Sequence, residues 1–433
     1  MHLLHIVFFQ RFQMLAVKNL LAFGVVAALT ACGGGGGGST PEPTPPVAVT
    51  CTAPQILQNG ACVTPPVVMI SSTRTGIAAD ANANYPVCND NFHNWADLAT
   101  ETAYVDKLKA AGYSGITMDY NVDVAATGQV LNTYTHDRMW TILAYAKSIG
   151  MTPNLKVHWG NPASPGIVEN QCGNLNTWTT PVAGFDMNLF LTGVKSHFAE
   201  VSPKAQAAGV KLMFLGTEND NTVTSQYHQQ WADIVATIKT SYTGKISYDG
   251  NFMGQTFNPF EQIGIWDLVD KIGLSFYPKL QATPATTVAE VIADYTYRPI
   301  TYADGSPTYN ITNIVSYIKA LSAKYGKEVI IGESNWGAYS ATLNGLVDGS
   351  TLISQTPDEN QRQLAYSAFF EVMNNPTYLG GIVTGVNIWG NDFWTTRPGH
   401  NTAHPEDPLF FELPGTATEA LIKPYITCNK SVC

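Results

Sequence analysis

From Val67 onward the chain alternates between two patterns. Short runs rich in β-branched and other apolar residues give way to longer stretches in which apolar positions recur at helical spacing. The predicted strands are Val67–Ser72, Gly115–Tyr120, Pro153–Trp159, Lys211–Glu218, Lys245–Asn251, Lys271–Tyr277, Glu328–Glu333 and Gly381–Trp389. The clearest predicted helices are Thr102–Ala111, Asp137–Ser148, Phe185–Ala208, Tyr227–Thr240, Ile311–Tyr325 and Glu359–Asn374, with Pro424 ending a last, weaker helical stretch. Strand and helix in turn is the rhythm of βα units around a parallel sheet. Eight such units over about 360 residues predict a (β/α)8 TIM barrel with generous loops. The competing doubly wound sheet would show a glycine-rich phosphate loop after its first strand, and the sequence has none there.

Polar and aromatic residues stand at the C-terminal ends of most predicted strands: Asp119, Tyr120 and Asn121; His158 and Trp159; Glu218 and Asn219; Asp249 and Asn251; Tyr277; Glu333; Asn387 and Trp389. In a barrel these ends open onto one face, which carries the active site. Packing at the barrel rim and capping of loops are the competing uses of the same residue types.

The segment before the barrel has a different pattern. Met14–Cys32 places Lys18 ahead of an apolar stretch from Leu20 to Leu29, too short for a permanent membrane span and suited to a signal peptide. Its end, Leu29-Thr30-Ala31-Cys32, resembles the bacterial lipobox, which implies cleavage before Cys32 and a lipid on that cysteine. The predicted organisation is a signal peptide over residues 1–31, a tether over 32–66 and a catalytic barrel over 67–433. Six glycines after Cys32 and the prolines that follow make the tether flexible and extended. Within it Cys51 and Cys62 flank Asn59-Gly60, a turn signal, so a small disulfide-closed loop is expected. The expected location is outside the cytoplasm, lipid-anchored to a bacterial membrane, at the outer membrane or cell surface.

Cysteine usage agrees with export. With Cys32 set aside, Cys51, Cys62, Cys88, Cys172, Cys428 and Cys433 are an even number and predict three disulfides. Sequence proximity suggests Cys51–Cys62 and Cys428–Cys433, leaving Cys88–Cys172, out of about 15 possible pairings. Charged residues are only 13% of the chain and the net charge is −10 with no basic run, which argues against a nucleic-acid partner. Few charges beside many aromatics, Asn and Thr suit a protein that handles neutral sugars, since rings stack on aromatic faces and hydroxyls bond to amides. His400 and His404 have a metal-like spacing, but Pro398, Gly399 and Pro405 argue against a shared helix face. No metal or other cofactor is expected, and a single copy of the chain is expected to suffice.

Hydrolysis of a glycosidic bond needs two carboxyl groups across the scissile bond. Glu218 closes the run Lys211-Leu-Met-Phe-Leu-Gly-Thr-Glu, and Glu333 closes Glu328-Val-Ile-Ile-Gly-Glu. Both follow an apolar strand and a small residue, on the fourth and seventh predicted strands. Glutamates there resemble those of clan A glycoside hydrolases, and the Gly216-Thr217-Glu218 form is most similar to glycoside hydrolase family 113, whose known members are β-1,4-mannanases. The resemblance implies Glu218 as acid/base, Glu333 as nucleophile and a retaining mechanism. It also implies that Tyr277, in Leu274-Ser-Phe-Tyr-Pro, bonds the nucleophile, and that Trp389, in Asn387-Ile-Trp, floors the central sugar subsite. Most clan members carry Asn immediately before the acid/base; here Thr217 stands there and Asn219 follows. Further expected sugar contacts are His158, Trp159, Asn219, Asp119, Asp249, Asn251 and Trp336, with Trp394 a second stacking platform. The expected substrate is a β-linked polysaccharide such as mannan, with galactan, xylan or glucan as alternatives, and a lipid-anchored glycan-binding barrel without catalysis is the competing reading.

Overall fold

A computed structural model describes residues 56–58, 61–63, 77–81, 98–125, 127–131, 137–160, 184–252, 260–280, 284–297, 313–344, 356–389, 413 and 416–427. The chain divides into Met1–Pro65 and Pro66–Cys433. In the first unit strands β1 (Ile56–Gln58) and β2 (Ala61–Val63) pair antiparallel, with Ile56 opposite Val63 and Gln58 opposite Ala61. The two residues between them in sequence are Asn59 and Gly60. The signal segment and the cysteines lie outside the described residues, apart from Cys62, whose place on β2 alone is described. No helix among the described residues is long and apolar enough to cross a membrane.

The second unit is built on eight parallel strands: β3 (Ile77–Ala81), β4 (Gly115–Val124), β6 (Thr152–Gly160), β7 (Leu212–Thr217), β8 (Lys245–Phe252), β9 (Lys271–Phe276), β10 (Val329–Ser334) and β11 (Val383–Ile388). Each pairs with its neighbour in that order, and β11 also pairs with β3, which closes the ring. A short strand β5 (Val130–Leu131) adds antiparallel to the end of β4. The first barrel strand is thus Ile77–Ala81 and not Val67–Ser72, which falls outside the described residues. Its Ala-Ala-Asp-Ala run has poor strand propensity, so pairing on both edges overrides the local signal. The other seven strands lie within a few residues of the predicted bounds.

Eight helices are described: α1 (Leu98–Ala111), α2 (Asp137–Ser148), α3 (Met187–Ala208), α4 (His228–Lys239), α5 (Val288–Thr296), α6 (Ile314–Tyr325), α7 (Glu359–Asn374) and α8 (Ala417–Thr427). Their ends have chemical causes. Asp186 accepts the first free N–H groups of α3, Asn313 and Asp358 do so for α6 and α7, and Thr287 with Glu290 forms a capping box on α5. Gly209 and Gly326 take left-handed backbone to end α3 and α6. Pro424 lies inside α8 instead of ending it.

Successive residues on a strand face opposite ways. On β4 and β6, Ile116, Met118, Tyr120, Leu155, Val157 and Trp159 belong to the main apolar core, which lies between sheet and helices. Alternate residues Thr117, Asp119, Asn154, Lys156 and His158 are buried too. Their contacts cross the lumen: Thr117 donates to Asn387 of β11, and Lys156 reaches Glu333 of β10, four strands away in sheet order. Leu212 and Phe214 of β7 meet Ile330 of β10 in a separate small apolar cluster. The lumen is therefore packed, as in TIM barrels generally, but above that cluster it is polar and charged.

Candidate active site

Glu218 and Glu333 follow irregularities in the sheet. The register of β7 against β8 shifts between Phe214 and Thr217, and that of β10 against β9 shifts between Ile331 and Glu333. Ile330 faces the lumen and Ile331 the helices, so strict alternation would turn Glu333 outward. The extra residue reverses that direction, a common use of bulges near active sites. Gly332 makes it sterically possible: a Cβ there would fall 2.2 Å from Asp249 Oδ1.

Glu218 has φ 54, the one positive φ among the described residues that are not glycine. A left-handed glutamate is unfavourable unless its surroundings hold it. Its N–H donates to the carbonyl of Asp249 at 2.8 Å. Two residues on, the buried Asp220 accepts from Tyr248 Oη at 2.7 Å and from the Asn251 N–H at 3.2 Å, which ties the turn to β8. The Glu218 Oε1 accepts from Ser275 Oγ on β9.

Glu333 is nearly buried, and each of its oxygens accepts a hydrogen bond. Tyr277 Oη donates to Oε1 at 2.8 Å, and Lys156 Nζ donates to Oε2 at 2.9 Å. Lys156 also lies 3.4 Å from Asp119 Oδ2 and 3.9 Å from Asp249 Oδ2, and donates to the Gly332 carbonyl at 3.3 Å. His158 Nε2 stands 3.5 Å from Asp119 Oδ2. Ligand-type atoms of Asp119, His158 and Glu333 lie within 4.8 Å of one another. The Lys156 ammonium sits against two of these carboxylates and supplies the positive charge that a metal ion would bring.

The electrostatics separate the two glutamates. Burial strips water from the Glu218 carboxyl, and the charge of Glu333 adds to it, so its pKa rises to about 7; the Ser275 hydroxyl opposes this. Asp220 also rises to about 7, by burial, against its hydrogen bonds from Tyr248 and Asn251. Burial pushes Asp249 well above the usual carboxylate range, although Lys156 pulls the other way. For His158, burial disfavours the charged ring, but the charge and hydrogen bond of Asp119 together with Glu333 outweigh it, and the pKa rises.

Other expected site residues divide by side of the sheet. His158, Asp119 and Asp249 lie in the lumen beside Glu333 and Lys156. Asn251 is half-buried at the end of β8. Trp389 is half-buried just past β11, where its N–H donates to the Ser334 carbonyl at 3.0 Å. Three expected sugar contacts are corrected. Trp159 faces the helices, with its ring edge-on to Phe190, His197 and Phe198 of α3 and its Nε1 donating to the Leu215 carbonyl at 3.0 Å. It follows His158 directly, so it must point the opposite way. Asn219 is buried behind Glu218, where it donates to Thr222 and accepts from Tyr248. Trp336 packs inside the core against Tyr366 and Phe369 of α7. Trp394, His400 and His404 lie outside the described residues. The sequence reading missed Lys156, Ser275, Asp220 and Tyr248. The first two had a visible signal, since each stands two positions before a predicted site residue, His158 or Tyr277, and so shares its face.

The eight-stranded parallel barrel thus carries one glutamate after its fourth strand, another on its seventh and a tyrosine bonded to the second. Residues 188–396 match the model of Glycoside Hydrolase Family 113. That segment is a little under half of the chain and contains both glutamates, Tyr277 and Trp389. The fold is similar to that of a family 113 β-mannanase from Alicyclobacillus acidocaldarius solved in complex with ManMIm, with TM-score 0.57 and 13% identity over 83% of this chain and 100% of that one. A second family 113 β-1,4-mannanase gives TM-score 0.54 and 13% identity over 82% and 98% of the two chains. No curated protein matches the chain.

Proposed function

We propose that the protein is a retaining glycoside hydrolase that cleaves β-1,4-mannan or a close β-linked relative, with Glu218 as acid/base and Glu333 as nucleophile. The observation that carries this reading is the asymmetry of the pair. Glu218 is held protonated to near neutrality, whereas Glu333 accepts from a hydroxyl and an ammonium. A proton donor beside a fixed carboxylate is the requirement of double displacement.

In the first step Glu333 attacks the anomeric carbon while the glycosidic C–O bond breaks, and the Glu218 proton passes to the departing oxygen. Glu333 then carries the sugar and no charge. With that charge gone, one of the causes that raise the Glu218 pKa is gone too, and Glu218 is suited to take a proton from water in the second step. Water attacks the anomeric carbon, the bond to Glu333 breaks, and both glutamates return to their starting states. Mannan as substrate is supported by the family match and by the names of the similar structures. Export and anchoring through Cys32 are supported by the signal-like segment Met14–Cys32.

The test is a reducing-sugar assay on mannan, galactan, xylan and glucan, with proton NMR of the first product formed. Mannan as the best substrate, with the β-anomer released first, supports the reading. Activity confined to another glycan overturns the mannan assignment, and an α-anomer released first overturns the double displacement.

A further inference from the structure

Lys156 takes no part in the steps just described, yet it sits at the centre of their charge balance. It lies mid-strand on β6 with no exposed surface. A lysine is almost never fully buried unless it is paired. Asp119 and Asp249 could satisfy that need, but its shortest ion pair is to Glu333, from a strand on the far side of the lumen. The same ammonium holds the Glu333 carboxylate and the carbonyl of Gly332, the residue at the bulge that turns Glu333 inward. Tyr277 holds the other carboxylate oxygen from β9. The two oxygens are thus anchored from different strands, which fixes the plane of the carboxylate.

We propose that Lys156 is the positioning residue of the nucleophile, orienting the Glu333 carboxylate and passing its charge balance to Asp119 when Glu333 is consumed. This rests on the glycosidase reading above. Its balance closes within the cluster. When Glu333 bonds to the anomeric carbon its negative charge is lost, the glycosidic bond breaks, and the proton of Glu218 leaves with the departing oxygen. Lys156 keeps its charge, 3.4 Å from Asp119. The titratable groups around it are Asp119 from β4, His158 on its own strand, Glu218 after β7, Asp249 from β8, Tyr277 after β9 and Glu333 on β10.

Two variants of the full chain test this, Lys156→Met and Lys156→Met with Asp119→Asn. The second removes one charge of each sign, so the buried cluster keeps its net charge if the single variant fails to fold. The readouts are kcat and KM separately, per folded enzyme, on the best substrate of the glycan panel. In both variants kcat falls at least about tenfold with KM within about threefold. A purely structural lysine would leave the kcat of the folded enzyme where it is. A double variant with wild-type kcat overturns the proposal, because Lys156 would then only neutralise Asp119. A double variant that does not fold assigns the lysine to barrel stability and overturns it equally. A wild type inactive on every β-glycan overturns the glycosidase reading first and this inference with it.

Discussion

Replacing Glu218 by Gln separates what its carboxyl does in catalysis from what its burial costs the fold. Glutamine keeps the shape and an acceptor toward Ser275 but cannot ionise. In the folded wild type, burial first and Glu333 second lift the carboxyl from 4.5 to about 7. A carboxyl with a raised folded pKa binds its proton more tightly folded than unfolded. Below about pH 4.5 both states are protonated and nothing is lost. Between 4.5 and 7 the unfolded chain releases its proton first, so stability falls as pH rises, and above 7 the whole loss is present. Two and a half pH units at about 1.36 kcal/mol each give about 3 kcal/mol, and the partly open face of the side chain trims this to about 2–3 kcal/mol. At about 2.1 cal/mol/K per residue a barrel of this size has an unfolding entropy near about 0.8 kcal/mol/K, so the shift in Tm is about 3 °C. Glu218→Gln is expected to gain that much on the wild type between pH 4.5 and pH 8, measured by thermal melts at both. Its kcat on polysaccharide falls at least about 10²-fold, while an aryl glycoside with a good leaving group still gives a first-turnover burst. A Tm difference that is the same at both pH values would refute the burial argument, and near-normal turnover of polysaccharide would refute the acid/base role.

Four further outcomes follow from single residues. Tyr277→Phe removes the hydroxyl bonded to Glu333 and is expected to lower kcat/KM about 10- to 100-fold, the worth of a hydrogen bond to a charged group, with Tm little changed; steady-state kinetics and a melt read both. Gly332→Ala puts a methyl against Asp249 Oδ1 and is expected to cost about 1–3 kcal/mol or more of stability, seen as a lower urea midpoint. Trp159→Ala empties a site in the core and is expected to lose about 3–5 kcal/mol while the folded fraction keeps its KM, since Trp159 faces α3. Cys32→Ala is expected to move the protein from the membrane pellet to the soluble fraction after cell breakage, and a protein still in the pellet counts against lipid anchoring.

The fold was legible because short strand-like runs alternate with stretches whose apolar positions recur at helical spacing, and that rhythm marks every barrel strand but the first. Ile77–Ala81 was not legible, since nothing local distinguishes alanines that pair on both edges from a loop. The two glutamates were legible through the small residues before them, Gly216 and Gly332, which also mark where the register shifts. Trp159, Asn219 and Trp336 were misread for one shared reason. A strand end offers both faces to the reader, and residue type does not say which face is which. Trp159 is a good sugar platform by chemistry and a core residue by parity.

Parity also explains why Lys156 escaped notice. A lysine in Pro153–Trp159 looks like an edge or snorkelling residue when the strand is taken alone, because a buried ammonium needs partners that no single strand contains. The partners come from β4, β8 and β10, brought together only by closure of the ring. The polar lumen follows from the same closure. Barrel interiors are usually filled by branched apolar side chains, and among the described residues here Leu212, Phe214 and Ile330 form such a cluster. Above them Thr117, Asn154, Lys156, Asp119, Asp249 and Asn387 occupy the space beneath the two glutamates. Such a network is expensive to bury and is held by mutual hydrogen bonds and ion pairs. An apolar filling would stabilise the barrel at least as well, but it would leave Glu333 as an unpaired charge at a dry floor. The composition of the lumen is therefore explained by the carboxylate it supports, and the chemistry at the mouth reaches down through the barrel as far as the apolar cluster.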